Sequence, residues 1–325
     1  MPTSTRPAVL DPLELAWAAG FFDGEGSTMV HLDDSRPGYV RLEAAVPQSG
    51  RGSGIPSTLV RFQTAVGGIG RIVGPDERDI YKWVSQGRLE ALAMQALLWE
   101  QLGGVKRHQA NDAIKQFLAQ YDSPDLVART GRHEAKVFEL VSGAIARASD
   151  PMQLDRAWAA GFFDGEGCFG IARAGKRVRG PDWYRVRASA TQHGEPGIVP
   201  EVLLRLRRAL GGLGRIECHG EIDDFKWVAE GDLVVETVLH MLEPLLGDLK
   251  IAAGLQALAA FRAQVRLKGD ANHCVRGHEY SYTTMRGGRV RRICNTCGRI
   301  YGRRSRAKEG VSPRPFKNVS RRYTH

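Results

Sequence analysis

The run Ala16–Gly26, "AWAAGFFDGEG", occurs again letter for letter at Ala157–Gly167. A chain that repeats eleven residues at a separation of 141 builds the same local structure twice. The duplication reaches further than this run. "VGGIGRI" at 66–72 answers "LGGLGRI" at 210–216, and "YKWVSQG" at 81–87 answers "FKWVAEG" at 225–231. Both of these pairs lie 144 apart, so the second copy carries a small insertion after the shared run. Repeats of this length are duplicated subdomains, because solenoid units have much shorter periods.

Each copy has a readable order of elements. Asp11-Pro12-Leu13-Glu14 reads as an N-cap, a proline at the first helical position and a capping-box glutamate, and Asp150-Pro151-Met152-Gln153 repeats the pattern. The spacing predicts helices from there to about Phe22 and Phe163, with the following glycines as the stop signal. Alternation around Thr28–Leu32 and Tyr39–Val46 predicts two strands, and Ser57–Val66 a helix. Gly67-Gly68 marks a turn before two short strands, Arg71–Val73 and Ile80–Val84. Helices near 89–102 and 109–120 close the half. The expected fold class is α+β: pseudo-two-fold αββαββα subdomains with antiparallel sheets. Expected boundaries are 1–121 for the first subdomain, 122–149 for a linker with a helix over 133–147, 150–267 for the second subdomain, and 268–325 for a basic tail.

The acids of the shared run need an explanation. Asp23, Glu25, Asp164 and Glu166 fall at the negative end of a helix dipole, the unfavourable end for carboxylates. Ala16, Ala19 and Gly20, with Ala157, Ala160 and Gly161, would let two such helices approach closely. If the copies pack about a pseudo-two-fold axis, their acids meet. Two carboxylates about 4 Å apart repel by roughly 4 kcal/mol at an intermediate dielectric, so such a site is protonated or holds a cation. An all-oxygen site suits Mg²⁺. In a single copy the aspartate would read as a local cap and the glutamate as a solvated turn residue; the duplication argues against that.

With these residues in view, Ala19–Gly26 and Ala160–Gly167 resemble the signature helix of the LAGLIDADG homing endonucleases, in the form with two motifs on one chain. The resemblance covers about residues 10–265. It implies duplex DNA as substrate, phosphodiester hydrolysis, and divalent metal held by Glu25 and Glu166, with Asp23 and Asp164 structural. Glutamate stands where the name-giving motif has aspartate. The family's strand glutamine beside the scissile phosphate is matched by Gln48 in "AVPQ" and Gln192 in "SATQ". Its basic residue near the site is matched by Lys106 and Lys250, with Lys82 and Lys226 as weaker candidates. The sheets are then expected to read major-groove edges. Candidate contacts are Arg41, Arg71, Arg173, Lys176, Arg177, Arg179, Arg185, Arg187 and Arg215. Trp83 and Trp227 are expected in the core.

Charge is unevenly distributed over the chain's net +10. Residues 262–325 hold 17 Lys and Arg against three acids, while 1–261 carry a net −4. A polyanion is the expected partner of the tail. There, Cys274, His278, Cys294 and Cys297 have the spacing C-x3-H-x15-C-x2-C, with Gly287-Gly288 midway. Two close pairs of soft ligands across a hairpin-sized loop predict a tetrahedral structural Zn²⁺ in a zinc-ribbon-like module. His273 is a competing ligand, whereas Cys168 and Cys218 are expected to be inert. Arginines 276, 286, 289, 291, 292, 299, 303, 304 and 306 are expected to grip DNA backbone. The module resembles the zinc modules appended to phage and bacterial nucleases.

No leader or membrane-length apolar run is evident, so a soluble, cytoplasmic monomer without membrane contact is expected. The rival to an endonuclease is a non-cleaving relative that acts as an intron maturase, with intron RNA as a further partner, or as a transcription regulator. Retention of both Glu25 and Glu166 favours the enzyme. Met1-Pro2 and the absence of a His-Asn end argue against an intein-embedded form.

Overall fold

The computed structural model describes residues 10–32, 40–85, 87–119, 150–175, 183–219, 223–266, 274, 278–286 and 289–299. The expected linker helix, Lys176, Arg177, Arg179, His273, Gly287-Gly288 and the arginines at 276, 303, 304 and 306 lie outside these residues, as do the side chains of Arg173, Arg286, Arg289, Arg291 and Arg292. Two compact units are present, Met1–Leu258 and Ala259–His325. No helix among the described residues is long and apolar enough to cross a membrane.

The first copy runs α1 (Pro12–Glu25), β1 (Ser27–Leu32), β2 (Val40–Ser49), α2 (Ser57–Ala65), β3 (Arg71–Val73), β4 (Ile80–Val84), α3 (Arg88–Leu98) and α4 (Gly104–Ala119). The second repeats it as α5 (Pro151–Glu166), β5 (Gly167–Gly175), β6 (Trp183–His193), α6 (Glu201–Ala209), β7 (Arg215–His219), β8 (Asp224–Glu230), α7 (Asp232–Leu242) and α8 (Asp248–Arg266). Each copy folds its strands into one antiparallel sheet, in the orders β1-β2-β4-β3 and β5-β6-β8-β7. Asp11 and Asp150 cap α1 and α5, each side chain accepting from the amide two residues on, and proline follows both. Trp83 and Trp227 are fully buried, as expected of core residues.

Two expectations need correction. The helix expected over 109–120 begins five residues earlier, at Gly104, and so contains Lys106. The long helices do not stop at Phe22 and Phe163 but run through Glu25 and Glu166. Gly26 and Gly167 end them in extended backbone, φ −77° and −75°, not in the left-handed turn that usually explains a terminal glycine. Glycine is required there because an added Cβ would lie 2.3 Å from the ring of Phe22 or Phe163.

From Leu15 to Asp23, every residue of α1 is buried, and so is every residue of α5 from Ala157 to Asp164. A helix enclosed on all sides fits the centre of the unit. There α1 and α5 pack against each other. A Cβ on Gly20 would lie 1.9 Å from the Trp158 carbonyl oxygen, and one on Gly161 would lie 1.9 Å from that of Trp17. No side chain fits at either point.

The crossing is also wired by polar groups. Trp17 Nε1 donates to Asp164 Oδ2 at 2.9 Å, and Trp158 Nε1 donates to Asp23 Oδ2 at 2.7 Å. The Gly103 amide donates to both oxygens of Asp23, and the Gly247 amide to both of Asp164. Each aspartate thus leaves the unfavourable end of its own helix and meets an amide at the start of α4 or α8. Burial pushes both carboxyls up to about 6, against the opposing pull of the indole and amide donors.

Two arginines missed by sequence reasoning brace the same crossing. Arg61 lies 4.1 Å over the Trp17 ring, donates twice to Glu14, and donates to the Leu245 carbonyl of the other copy at 2.7 Å. Arg205, 144 residues on, lies 4.3 Å over Trp158, donates to Asp155, and reaches the Gln101 carbonyl and side chain of the first copy.

Gly20→Ala or Gly161→Ala is expected to destabilise the protein by about 3 kcal/mol or more, because backbone must move. Gly170→Ala, whose Cβ meets nothing within 4 Å, is the neutral control. Trp17→Phe, which removes a donor from buried Asp164, is expected to cost about 1–3 kcal/mol. Urea denaturation of the four variants measures all of these effects.

Candidate active site and metal centre

The close crossing brings the last turns of α1 and α5 side by side. An added Cβ on Gly24 would lie 3.1 Å from Glu166 Cγ, and one on Gly165 would lie 3.0 Å from Glu25 Cγ. Each glutamate therefore reaches across to rest on the other copy's glycine. Gly24 and Gly165 are not helix-stop signals; they make room for the opposite carboxylate.

Around this pair the structure gathers the other four residues singled out from the sequence. Gln192 Nε2 donates to Glu166 Oε1 at 2.8 Å, and the Gln48 side chain hydrogen-bonds Glu25. Lys106, on the first turn of α4, donates from Nζ to the Gly26 carbonyl at 2.6 Å. Lys250, on the first turn of α8, donates to the Gly167 carbonyl. Both glutamines and both lysines are half-buried. Lys82 is exposed on β4 and Lys226 half-buried on β8, each in the strand position beside a core tryptophan and so on the other sheet face.

Charges in this pocket influence one another. Burial, and then the charge of Glu25, push Glu166 up to about 7, against the Gln192 hydrogen bond. Burial likewise raises Glu25, with Gln48 and the two lysines opposing. Burial lowers both lysines, and the nearby carboxylates partly restore them. Two half-buried carboxylates held near each other between ammonium groups are strained as a pair of anions, and a cation between them relieves that strain. The oxygen-only donor set fits a hard divalent ion better than a soft one.

The basic residues expected on the sheets occupy different settings. Arg41 and Arg71 are exposed on β2 and β3. Arg185 and Arg215 are not isolated cations: Arg185 Nη1 donates to Glu230 Oε2 at 2.9 Å, and Arg215 Nη2 donates to the same oxygen at 3.1 Å. Arg215 also donates from Nε to Glu217. Arg187 is half-buried and pairs with Glu230 in the β6–β8 register.

In the second unit, β9 (Tyr282–Arg286) and β10 (Arg289–Ile293) form an antiparallel hairpin, with Tyr282 opposite Ile293. The hairpin delivers Cys294 and Cys297 toward Cys274 and His278, and one ligand atom from each of the four lies within 4.8 Å of the others. Cys274 Sγ and Cys297 Sγ are 3.6 Å apart, and His278 Nδ1 is 3.5 Å and 3.4 Å from them. Tetrahedral zinc with bonds of about 2.3 Å to sulfur separates its ligands by about 3.5–3.8 Å, so this donor set fits such an ion. Desolvation and hydrogen bonds with Cys274 and Cys294 push the Cys297 thiol up to about 11, a state that a bound cation reverses by holding the thiolate.

No protein-family model matches the chain, and no curated protein matches it. Solved structures do match in fold. The LAGLIDADG meganuclease I-AabMI bound to uncleaved DNA is 17% identical at TM-score 0.54, over 78% of this chain and 91% of that one. The LAGLIDADG homing endonuclease I-GzeII in complex with its DNA target is 15% identical at TM-score 0.55, over 81% and 94%. The I-SmaMI LAGLIDADG homing endonuclease bound to cleaved DNA is 15% identical at TM-score 0.52, over 81% and 93%. The mixed helix and antiparallel-sheet fold of this chain is the fold of the two-domain LAGLIDADG endonucleases.

Proposed function

We propose that the chain is a sequence-specific, double-stranded DNA endonuclease of the LAGLIDADG homing type, acting as a cytoplasmic monomer. The observation that carries this reading is the meeting of Glu25 and Glu166 across the α1–α5 crossing, each with its own glutamine and lysine. That arrangement stands on a fold shared with endonucleases solved on DNA.

Glu25 and Glu166 would hold the divalent ions, with Mg²⁺ the proposed species. Such an ion supplies charge stabilisation at phosphate oxygens and acidifies a bound water. Gln48 and Gln192 orient the two carboxylates and exclude other hydrogen-bonding partners from them. Lys106 and Lys250 present positive charge where an additional negative charge would form on a phosphate, in a half-buried setting that strengthens the interaction. Two equivalent sets of side chains suit the two strands of a duplex. Asp23 and Asp164 take no part in the chemistry, since indole and amide donors occupy them.

The second unit is proposed to bind one structural Zn²⁺ through Cys274, His278, Cys294 and Cys297 and to hold DNA backbone with its arginines.

The reading is tested with purified protein, Mg²⁺ and duplex DNA carrying the uninterrupted form of its own locus. Wild-type protein is expected to cut both strands. Glu25→Gln and Glu166→Gln are each expected to lower cleavage by about a thousandfold or more while DNA binding persists. Binding without cutting by the wild type would favour a maturase or regulator, and unchanged cutting by both variants would remove the carboxylate assignment. Elemental analysis is expected to find about one zinc per chain, released by chelation and lost in Cys294→Ser. A zinc-free, folded protein would refute the four-ligand site.

A further inference from the structure

The two sheets carry different exposed faces. In β6, Val186, Ala188 and Ala190 are buried on one face, and Arg185, Arg187, Thr191 and His193 alternate onto the other, where Ser189 is buried as well. By the same alternation, β8 contributes Lys226 and Glu230 to that face, with Val228 buried between them, and β7 contributes Arg215 and Glu217. Glu230 accepts from both Arg185 and Arg215, and Glu217 accepts from Arg215. The result is a chain of four charged groups, Arg185–Glu230–Arg215–Glu217, across three strands. Its centre is the most enclosed part: the Glu230 side chain is 18% exposed, against 54% for each arginine.

The first copy supplies the comparison. At the 144-residue offset, Arg185 and Arg215 correspond to Arg41 and Arg71, so both arginines occur in both copies. The acids do not. Glu230 corresponds to Gln86 and Glu217 to Val73. The face of the first sheet differs at other positions too, with Ile80 and Pro47 where the second has Asp224 and Thr191, and with Glu43, paired to His31, where the second has Arg187.

Acids on a surface that only needed to attract phosphate would weaken it, since each carboxylate repels the backbone. What they do is immobilise the guanidinium groups. Arg185 uses a single Nη1 contact among the described residues, leaving its Nε and Nη2 donors as a fork. Arg215 keeps its whole Nη1 group free in the same sense. A guanidinium already held in one orientation loses little freedom on meeting a two-acceptor partner, and the O6/N7 edge of guanine is that partner in the major groove.

Resting on the DNA-endonuclease reading, we propose that the sheet β5–β8 reads guanines through Arg185 and Arg215, oriented by Glu230 and Glu217. The target is accordingly asymmetric. One half-site is guanine-dependent at two positions, and the other is read by a face with more apolar contact, the kind that thymine methyl groups accept. Glu230 and Glu217 are positioning residues, and the arginines make the contacts.

The test is selection from a randomised duplex pool by the full chain, comparing wild type with Glu230→Gln and Glu217→Val. Both variants borrow the first copy's residue. Melting temperatures identify any variant that fails to fold, and the remaining variant then carries the comparison. In the wild type, guanine is expected at two positions of one half-site. In the variants, preference there is expected to fall about tenfold while the other half-site keeps its preferences and overall affinity does not drop. A merely structural role for the acids would lower affinity evenly and leave the base profile unchanged. Profiles identical to wild type, or altered equally in both half-sites, would overturn the proposal. A pool in which the wild type enriches nothing would instead sink the DNA-reading function itself, and this inference with it.

Discussion

Where α1 and α5 cross, backbone meets backbone, because Gly20 and Gly161 leave no side chain between each helix and a carbonyl of the other. Packed helices usually stand 8–10 Å apart, at a distance set by the residues at the contact. Removing those residues draws the helix ends together, and only then can a glutamate from one copy lie over a glycine of the other. The six-residue site, the aspartate anchors and the arginine braces all assume that separation. It is the geometric condition for one site made from two copies.

The same spacing sorts the acids of the motif into two fates. Asp23 and Asp164 are enclosed more deeply, yet each has an indole and an amide directed at it, so their charge is matched locally. Among the described residues, Glu25 and Glu166 are each met by one glutamine amide and lie near each other, with the charges of Lys106 and Lys250 opposing the rise that burial causes. The protein thus concentrates two mutually repelling carboxylates at one place, offset in part by two half-buried lysines. The aspartates belong to the packing of the crossing, and the glutamates are the pair that the proposed function uses.

The element order was legible because each segment was stated twice, and caps such as Asp11-Pro12 are local signals. The true ends of α1 and α5 were not. Gly24 looks like a terminator in sequence, and its actual reason, room for Glu166, comes from the distant copy. Gln48, Gln192, Lys106 and Lys250 could be named only through a family resemblance, since nothing in their local spacing distinguishes them from other surface residues. Arg61 and Arg205 sat at the common offset of 144 in plain view. Their partners, the Leu245 and Gln101 carbonyls, carry no sequence signature, because every residue has a carbonyl. Arg185 and Arg215 could be named as candidate contacts, but the pairing through Glu230 depends on register across three strands.

The tryptophan–aspartate contacts run reciprocally: Trp17 serves Asp164, and Trp158 serves Asp23. Neither copy supplies the indole donor for its own aspartate, although the Gly103 and Gly247 amides come from the same copy as the aspartate they meet. A change at either tryptophan is therefore felt at the aspartate of the opposite half. Drift in such a chain is tethered at the crossing and free at the sheets. That matches the pattern within this one sequence, where eleven residues at the crossing remain identical while strand faces such as Val73 and Glu217 have gone separate ways. A duplicated protein built like this can diversify in what it recognises while its two halves stay bound to a single, jointly inherited mechanism.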